Sequence, residues 1–211
     1  APDGSRYYPA FPYPNFTKLT RPDILAIRAY LATLTPVKNS APPPELRWPL
    51  NYRVLMRGWN WLFFKPGILM PDQQKSADWN RGRYLVEGAG HCGACHTPLN
   101  AFGANKADQY LRGNAIDNWI APNITNDPQA GLGKWSIDDI VQYLKNGQTH
   151  SSLASGPMKD VIENSTSKMA DADLKAMAVY LKERGAAGTP APGTVRATDP
   201  QMVGGRESAA T

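Results

Sequence analysis

Apolar spacing along the chain predicts a few short amphipathic helices separated by long irregular stretches. Residues 173–181 read D-L-K-A-M-A-V-Y-L, with Leu174, Met177 and Leu181 recurring at helical intervals. This predicts a helix over 171–184 with Met177 in its core face. The stretch S-A-D-W-N-R-G-R-Y-L-V-E predicts another over 76–87, with Ser76 as N-cap and Trp79 and Leu85 on the buried side. A third, S-I-D-D-I-V-Q-Y-L at 136–144, predicts a helix over 136–145. Residues 23–31, D-I-L-A-I-R-A-Y-L, repeat 173–181 in register: the Asp, the apolar second residue, the Ala and the closing Tyr-Leu all match. Asp23 and Asp173 fall in the first turn, where a carboxylate suits the helix dipole. Thr20 precedes Asp23 with capping-box spacing, while the equivalent Ala170 has no hydroxyl. The register match suggests two related domains.

Between these elements, loops are expected over 97–134 and 146–169. Glycine and proline number 18 and 19, enough to leave much of the chain irregular. Residues 38–75 hold Pro42 to Pro44 and the cluster W-N-W-L-F-F at 59–64, too short to span a bilayer. They read as an extended linker whose aromatics pack on a neighbouring domain. The segment after 187, rich in Gly, Pro, Ala and Thr, reads as a tail or interdomain linker. Without an initiator Met or a charged-then-apolar leader, the chain is expected to be a mature product or a fragment.

The net charge of +5 changes this picture little. Residues 1–75 carry 10 Lys/Arg against 4 Asp/Glu, whereas residues 76–187 carry 11 against 12. The basic excess is dispersed through a Pro-rich segment rather than clustered to follow phosphates, which argues against nucleic acid. A docking face for an acidic partner is the alternative to a plain solvated surface.

The two cysteines are more decisive. Cys92 and Cys95 stand in H-C-G-A-C-H-T, directly followed by His96. C-x-x-C-H is the attachment signature of c-type haem. Two thiols on one helical turn can add to vinyl groups on one edge of the porphyrin, and the next histidine then faces the iron. A redox dithiol normally follows a strand in a βαβ unit, whereas here a helix precedes it. A structural zinc needs four ligands in tetrahedral array, and His91, Cys92, Cys95 and His96 are too crowded for that. His91 is expected to point away from the iron.

An iron held by His96 takes a sixth ligand or stays open for chemistry. Met177 belongs to a helix core and Met202 to the tail, leaving Met158, Met169 and His150 as candidates. Met158 lies in S-G-P-M-K, a Gly-Pro turn in the loop between two helices, from which a side chain can be presented across a flat cofactor; this favours Met158. Trp135 and Tyr110 are candidates for pocket or propionate contacts, or equally for ordinary core. A bound His/Met pair gives one-electron transfer. A vacant or displaceable sixth site would give a peroxidase-like or gas-sensing protein, and residues 146–169 offer His150 but no arginine for one.

Several strings carry a resemblance. Y-L-V-E-G-A-G-H-C-G-A-C-H-T-P, A-P-N-I-T, G-K-W-S-I-D-D-I and A-S-G-P-M-K-D-V resemble the middle domain of the multi-haem cytochrome c subunits of membrane-bound dehydrogenases of alcohols, sugars and sugar acids. R-W-P-L-N-Y-R-V-L-M-R-G-W-N-W-L-F-F-K-P resembles the segment joining that family's first and second domains. The resemblance implies an all-α fold: a class I cytochrome c-type haem domain with an extended N-terminal segment and linker. Its parts are 1–37, the C-terminal remnant of a preceding cytochrome-like domain; 38–75, the linker; 76–187, the haem domain; and 188–211, a flexible tail or linker to a third domain. It implies one haem c on Cys92 and Cys95, with His96 and Met158 as iron ligands and no catalytic residue. The implied partners are a catalytic dehydrogenase subunit and other haem domains or cytochromes, with membrane association through the parent complex. Electrons would pass towards ubiquinone or a terminal oxidase at the outer face of the cytoplasmic membrane, in the bacterial periplasm. The family usually carries three haem motifs, and this chain has one.

Overall fold

The computed structural model describes residues 4–40, 42, 45–116 and 118–185. The expected tail over 188–211, with Met202, lies outside these residues. The described chain is mostly helical: α1 (Tyr13–Phe16), α2 (Arg21–Ala32), α3 (Leu55–Phe63), α4 (Ala77–Tyr84), α5 (Gly93–His96), then α6 (Ile137–Asn146), α7 (Gly156–Asn164) and α8 (Asp171–Glu183). Between α5 and α6 a short antiparallel hairpin pairs β1 (Asn114–Ile116) with β2 (Trp119–Ala121), Ala115 opposite Ile120. No described helix is long and apolar enough to cross a membrane.

The three helices expected around the motif form where their patterns put them. Ser76 caps α4 by accepting from Trp79 N at 3.1 Å. Ser136 and Asp139 make a reciprocal capping box at α6. Ala170 gives α8 no side-chain cap. Leu174, Met177, Tyr180 and Leu181 of α8 are buried against Trp79, Leu85 and Val86, with Ile140 and Leu144 of α6 completing the core. The α4–α8 crossing is very close: a Cβ on Gly82 would lie 1.9 Å from the Ala176 carbonyl oxygen. Arg81 ties the crossing from outside, donating to both Asp173 carboxylate oxygens at 2.7 and 2.9 Å.

Four expectations change. The helix from Ser76 does not continue regularly to 87; it widens at Leu85–Ala89 into one π-helical turn, which lets both Leu85 and Val86 point inward. The 146–169 stretch is not all loop, because α7 lies within it. Its Gly-Pro pair is a helix start rather than a free turn: Pro157 needs no N–H partner in the first turn, and Ile162 buries the helix against the core. The 38–75 segment is not extended throughout, since Leu55–Phe63 forms α3. Finally, Thr20 makes only half of a capping box. Its hydroxyl accepts from Asp23 N, but its own N–H donates to the Tyr84 hydroxyl at 2.9 Å, which in turn donates to the Asp23 carboxylate.

These last contacts belong to a seam joining the N-terminal segment to the π turn. Asn15 Nδ2 donates to the Glu87 carbonyl at 3.2 Å, and Leu19 packs on Gly88. The Glu87 carboxylate receives Lys18 at 3.0 Å, Arg83 at 3.3 Å and the Tyr180 hydroxyl at 2.6 Å. Burial works against its ionisation, but these donors prevail and hold the carboxyl below its usual range.

Candidate haem-attachment site

The π turn ends in a tight bend that feeds the motif. Gly90 N donates to Leu85 O at 2.7 Å, and Cys92 N to Val86 O at 3.1 Å. His91 takes up the strain of the bend at φ +38°, a left-handed value unusual for a residue with a Cβ. The chain then closes a single helical turn, with His96 N donating to Cys92 O at 2.9 Å. One turn therefore carries Cys92, Cys95 and His96 on neighbouring positions. Gly93, between the thiols, lies against Tyr110; a Cβ there would stand 2.4 Å from the Tyr110 ring.

Cys92 is half-buried and Cys95 exposed, and the two form no disulfide. Burial pushes the Cys92 thiol up to about 12 and raises Cys95 as well. This is the reverse of the depressed thiol pKa that makes a C-x-x-C pair a redox dithiol. Among the described residues, no three His, Cys, Asp or Glu side chains converge to hold a metal ion.

His96 is buried, and its Nδ1 lies 2.7 Å from the carbonyl oxygen of Pro122. A carbonyl can only accept, so Nδ1 carries the proton and Nε2 keeps its lone pair for an iron. Burial lowers the imidazole pKa, with the Pro122 contact opposing, so the ring is neutral at neutral pH. Pro122 lies in the A-P-N-I-T string. Asn123 Oδ1 accepts from Thr125 N and Oγ1 at 2.8 and 2.7 Å, and Ile124 N donates to Leu111 O at 2.9 Å, fixing that loop. The residue type at 122 carries no signature of this contact, since any residue has a carbonyl.

Of the other expected residues, Met158 is half-buried in the first turn of α7 and packs against the core. Its helix starts at Gly156, whose φ of +52° and closeness to the Trp119 ring leave no room for a Cβ. Met169 is also half-buried against the core, and Met177 lies inside it. His150 stands at the surface, its side chain 80 % exposed and 3.8 Å from Asp139. Trp135 packs edge-on against Tyr143, and Tyr110 lies beneath the Arg184 guanidinium with its hydroxyl buried. His91 turns its ring onto Phe16.

The donor set fits a covalently held haem: two cysteines and an imidazole whose Nδ1 is engaged share one turn, following the first core helix. The chain is similar in sequence to cytochrome subunits of dehydrogenases. It is 42% identical over 184 residues to the fructose dehydrogenase cytochrome subunit of Gluconobacter japonicus, covering 85% of this chain and 37% of that protein. It is 43% identical over 189 residues to the cytochrome c subunit of the alcohol dehydrogenase (quinone) of Gluconacetobacter polyoxogenes, covering 85% and 40%. Against the gluconate 2-dehydrogenase cytochrome c subunit of Pantoea cypripedii the figures are 39% over 197 residues, covering 88% and 44%. The chain thus spans about two-fifths of the length of these relatives. Each of the three is named as a cytochrome subunit of a dehydrogenase. No protein-family model matches the chain.

Proposed function

We propose that this chain is an electron carrier whose residues 76–187 form a class I cytochrome c-type domain holding one haem c. Cys92 and Cys95 would hold it by thioether bonds, with His96 and Met158 on the iron. When bound, the haem supplies a centre that changes by one electron. The observation that carries the reading is the His96 imidazole, its Nδ1 held by the Pro122 carbonyl, on the same helical turn as Cys92 and Cys95.

The residues then divide the work. His96 is held in one tautomer and one orientation, so its free nitrogen needs no rearrangement when the iron changes charge. Met158 offers a soft sulfur, which favours the ferrous state over a second nitrogen. The axial ligand, burial and hydrogen bonding are the protein's means of tuning haem potentials over ~0.8 V. His150, the natural distal group for an open-site catalyst, is instead exposed beside Asp139. With two cysteines in the sequence, one C-x-x-C-H motif is available.

Residues 1–37 would be the C-terminal remnant of a preceding cytochrome-like domain, 38–75 the linker, and 188–211 a linker to a third. The α2 repeat of α8 supports this, since its matching apolar face is uncovered. Ile24, Ile27, Tyr30 and Leu31 are 46–65 % exposed, whereas Leu174, Met177, Tyr180 and Leu181 are 4 % exposed or less. The partners would be a catalytic dehydrogenase subunit and further haem domains or cytochromes, in a complex at the outer face of the cytoplasmic membrane in the bacterial periplasm. Electrons would pass towards ubiquinone or a terminal oxidase.

Intact mass of the chain expressed with haem maturation tests the attachment. The mass is expected to exceed the polypeptide by one haem and to survive denaturation. Cys92→Ser with Cys95→Ser is expected to abolish the addition. A haem that extracts freely from the parent chain contradicts the proposal.

A further inference from the structure

The N-terminal segment carries a run of aromatic rings that ends on the motif. Tyr7 and Phe11 have ring centroids 5.3 Å apart, Phe11 and Phe16 5.7 Å, and Phe16 and His91 5.6 Å. His91 is bonded to Cys92, its backbone is left-handed at φ +38°, and its ring meets Phe16 edge-on. Ring contacts at these spacings are ordinary packing. Their order is not, because they join the attachment turn stepwise to solvent. Tyr7 and Phe11 remain 44 % and 52 % exposed at the outer end. Cations flank that end: Arg53 stacks 5.2 Å over the Tyr8 ring and donates to the Arg6 carbonyl at 3.3 Å, and Arg6 itself is exposed. Residues 1–75 together carry 10 basic residues against 4 acidic ones.

Electron tunnelling weakens steeply with distance and with gaps between bonded or stacked groups, so contiguous π systems are a favourable route. Resting on the electron-carrier reading, we infer that Tyr7, Phe11, Phe16 and His91 are an electron path between the haem-attachment turn and a docking face for a one-electron carrier with an acidic contact surface. One electron crosses per encounter. The donor is oxidised by one equivalent and the acceptor reduced by one, with no bond made or broken and no proton moved. Charge complementarity with Arg6 and Arg53 would draw such a partner to the exposed rings.

The test uses the haem-loaded chain with a ruthenium polypyridyl photoreductant on Ala10→Cys, an exposed position beside Phe11. After a flash, the rate of haem reduction is expected to fall several-fold in Phe11→Leu and Phe16→Leu and to recover in Phe16→Tyr. Phe63→Leu, in the separate stack of Trp59, Phe63 and Phe102, is expected to leave it unchanged. Visible spectra and midpoint potentials are expected to match throughout. Phe11 is exposed, so its variant tests the path without threatening the fold. Equal rates in all variants overturn the path. For the docking face, the probe is a reduced plant-type ferredoxin, an acidic one-electron donor. Its second-order rate is expected to fall with added salt and in Arg6→Glu with Arg53→Glu; indifference to both overturns the face. A chain whose haem dithionite cannot reduce would overturn the electron-carrier reading and the inference with it. Normal reduction with rates indifferent to the rings refutes the inference alone.

Discussion

A histidine presents a fixed nitrogen to a metal when its other nitrogen is already engaged, and Pro122 engages that of His96 from 26 residues away. The local half of this arrangement is legible in C-x-x-C-H, because thiols and imidazole are neighbours in sequence as in space. The distant half is not, since a backbone carbonyl leaves no signature in the residue type. Glu87 is a similar case: its donors converge from the turn before α2 (Lys18), from α4 (Arg83) and from α8 (Tyr180). Glu87→Gln is expected to lower stability by about 1–3 kcal/mol at neutral pH, the scale of hydrogen bonds to a charged group. Its pKa is depressed in the folded protein, so its contribution is present above the unfolded carboxylate pKa and is lost as pH falls through the folded value. Parent and variant melting temperatures are therefore expected to converge on acidification. A gap that widens in acid would contradict the assignment.

At the scale of elements, periodicity found α4, α6 and α8 because each buries one face. α7 is not legible in the pattern, because its apolar face is short and opens on Gly-Pro, a pair that signals turns as readily as helix starts. The hairpin escaped because three-residue strands have too few positions to show an alternation. The α4–α8 crossing depends on Gly82, whose missing side chain lets the backbones touch. Gly82→Ala is expected to destabilise the protein by about 3 kcal/mol or more, the upper range for overpacking, in contrast to the gain an alanine usually gives in a helix. Denaturant unfolding measures it. A neutral or stabilising result would mean that the helices can separate freely.

Across the whole molecule, composition divides the chain near residue 75, but the contacts cross that division. Residues 15–23 clamp onto α4 and the π turn through Asn15, Lys18, Leu19 and Thr20. Such a seam is unreadable in sequence because its members are single residues 61–72 positions apart. The Tyr84 hydroxyl is central to it, accepting from Thr20 and donating to Asp23. Tyr84→Phe is expected to cost about 1 kcal/mol and to speed hydrogen exchange over residues 15–32 selectively. Uniform exchange across the chain would argue against a local clamp. The repeat of α8 in α2 was legible, and the uncovered face of α2 is what a neighbouring domain would occupy.

A haem c held by His96 and Met158 is read most directly from the visible spectrum of the ferric and ferrous chain before and after Met158→Ala. The parent is expected to show low-spin haem and the weak long-wavelength ferric band of a methionine sulfur on iron, and the variant to lose that band and bind carbon monoxide when reduced. A parent already high-spin and open to cyanide, or a variant that keeps the band, would contradict the account.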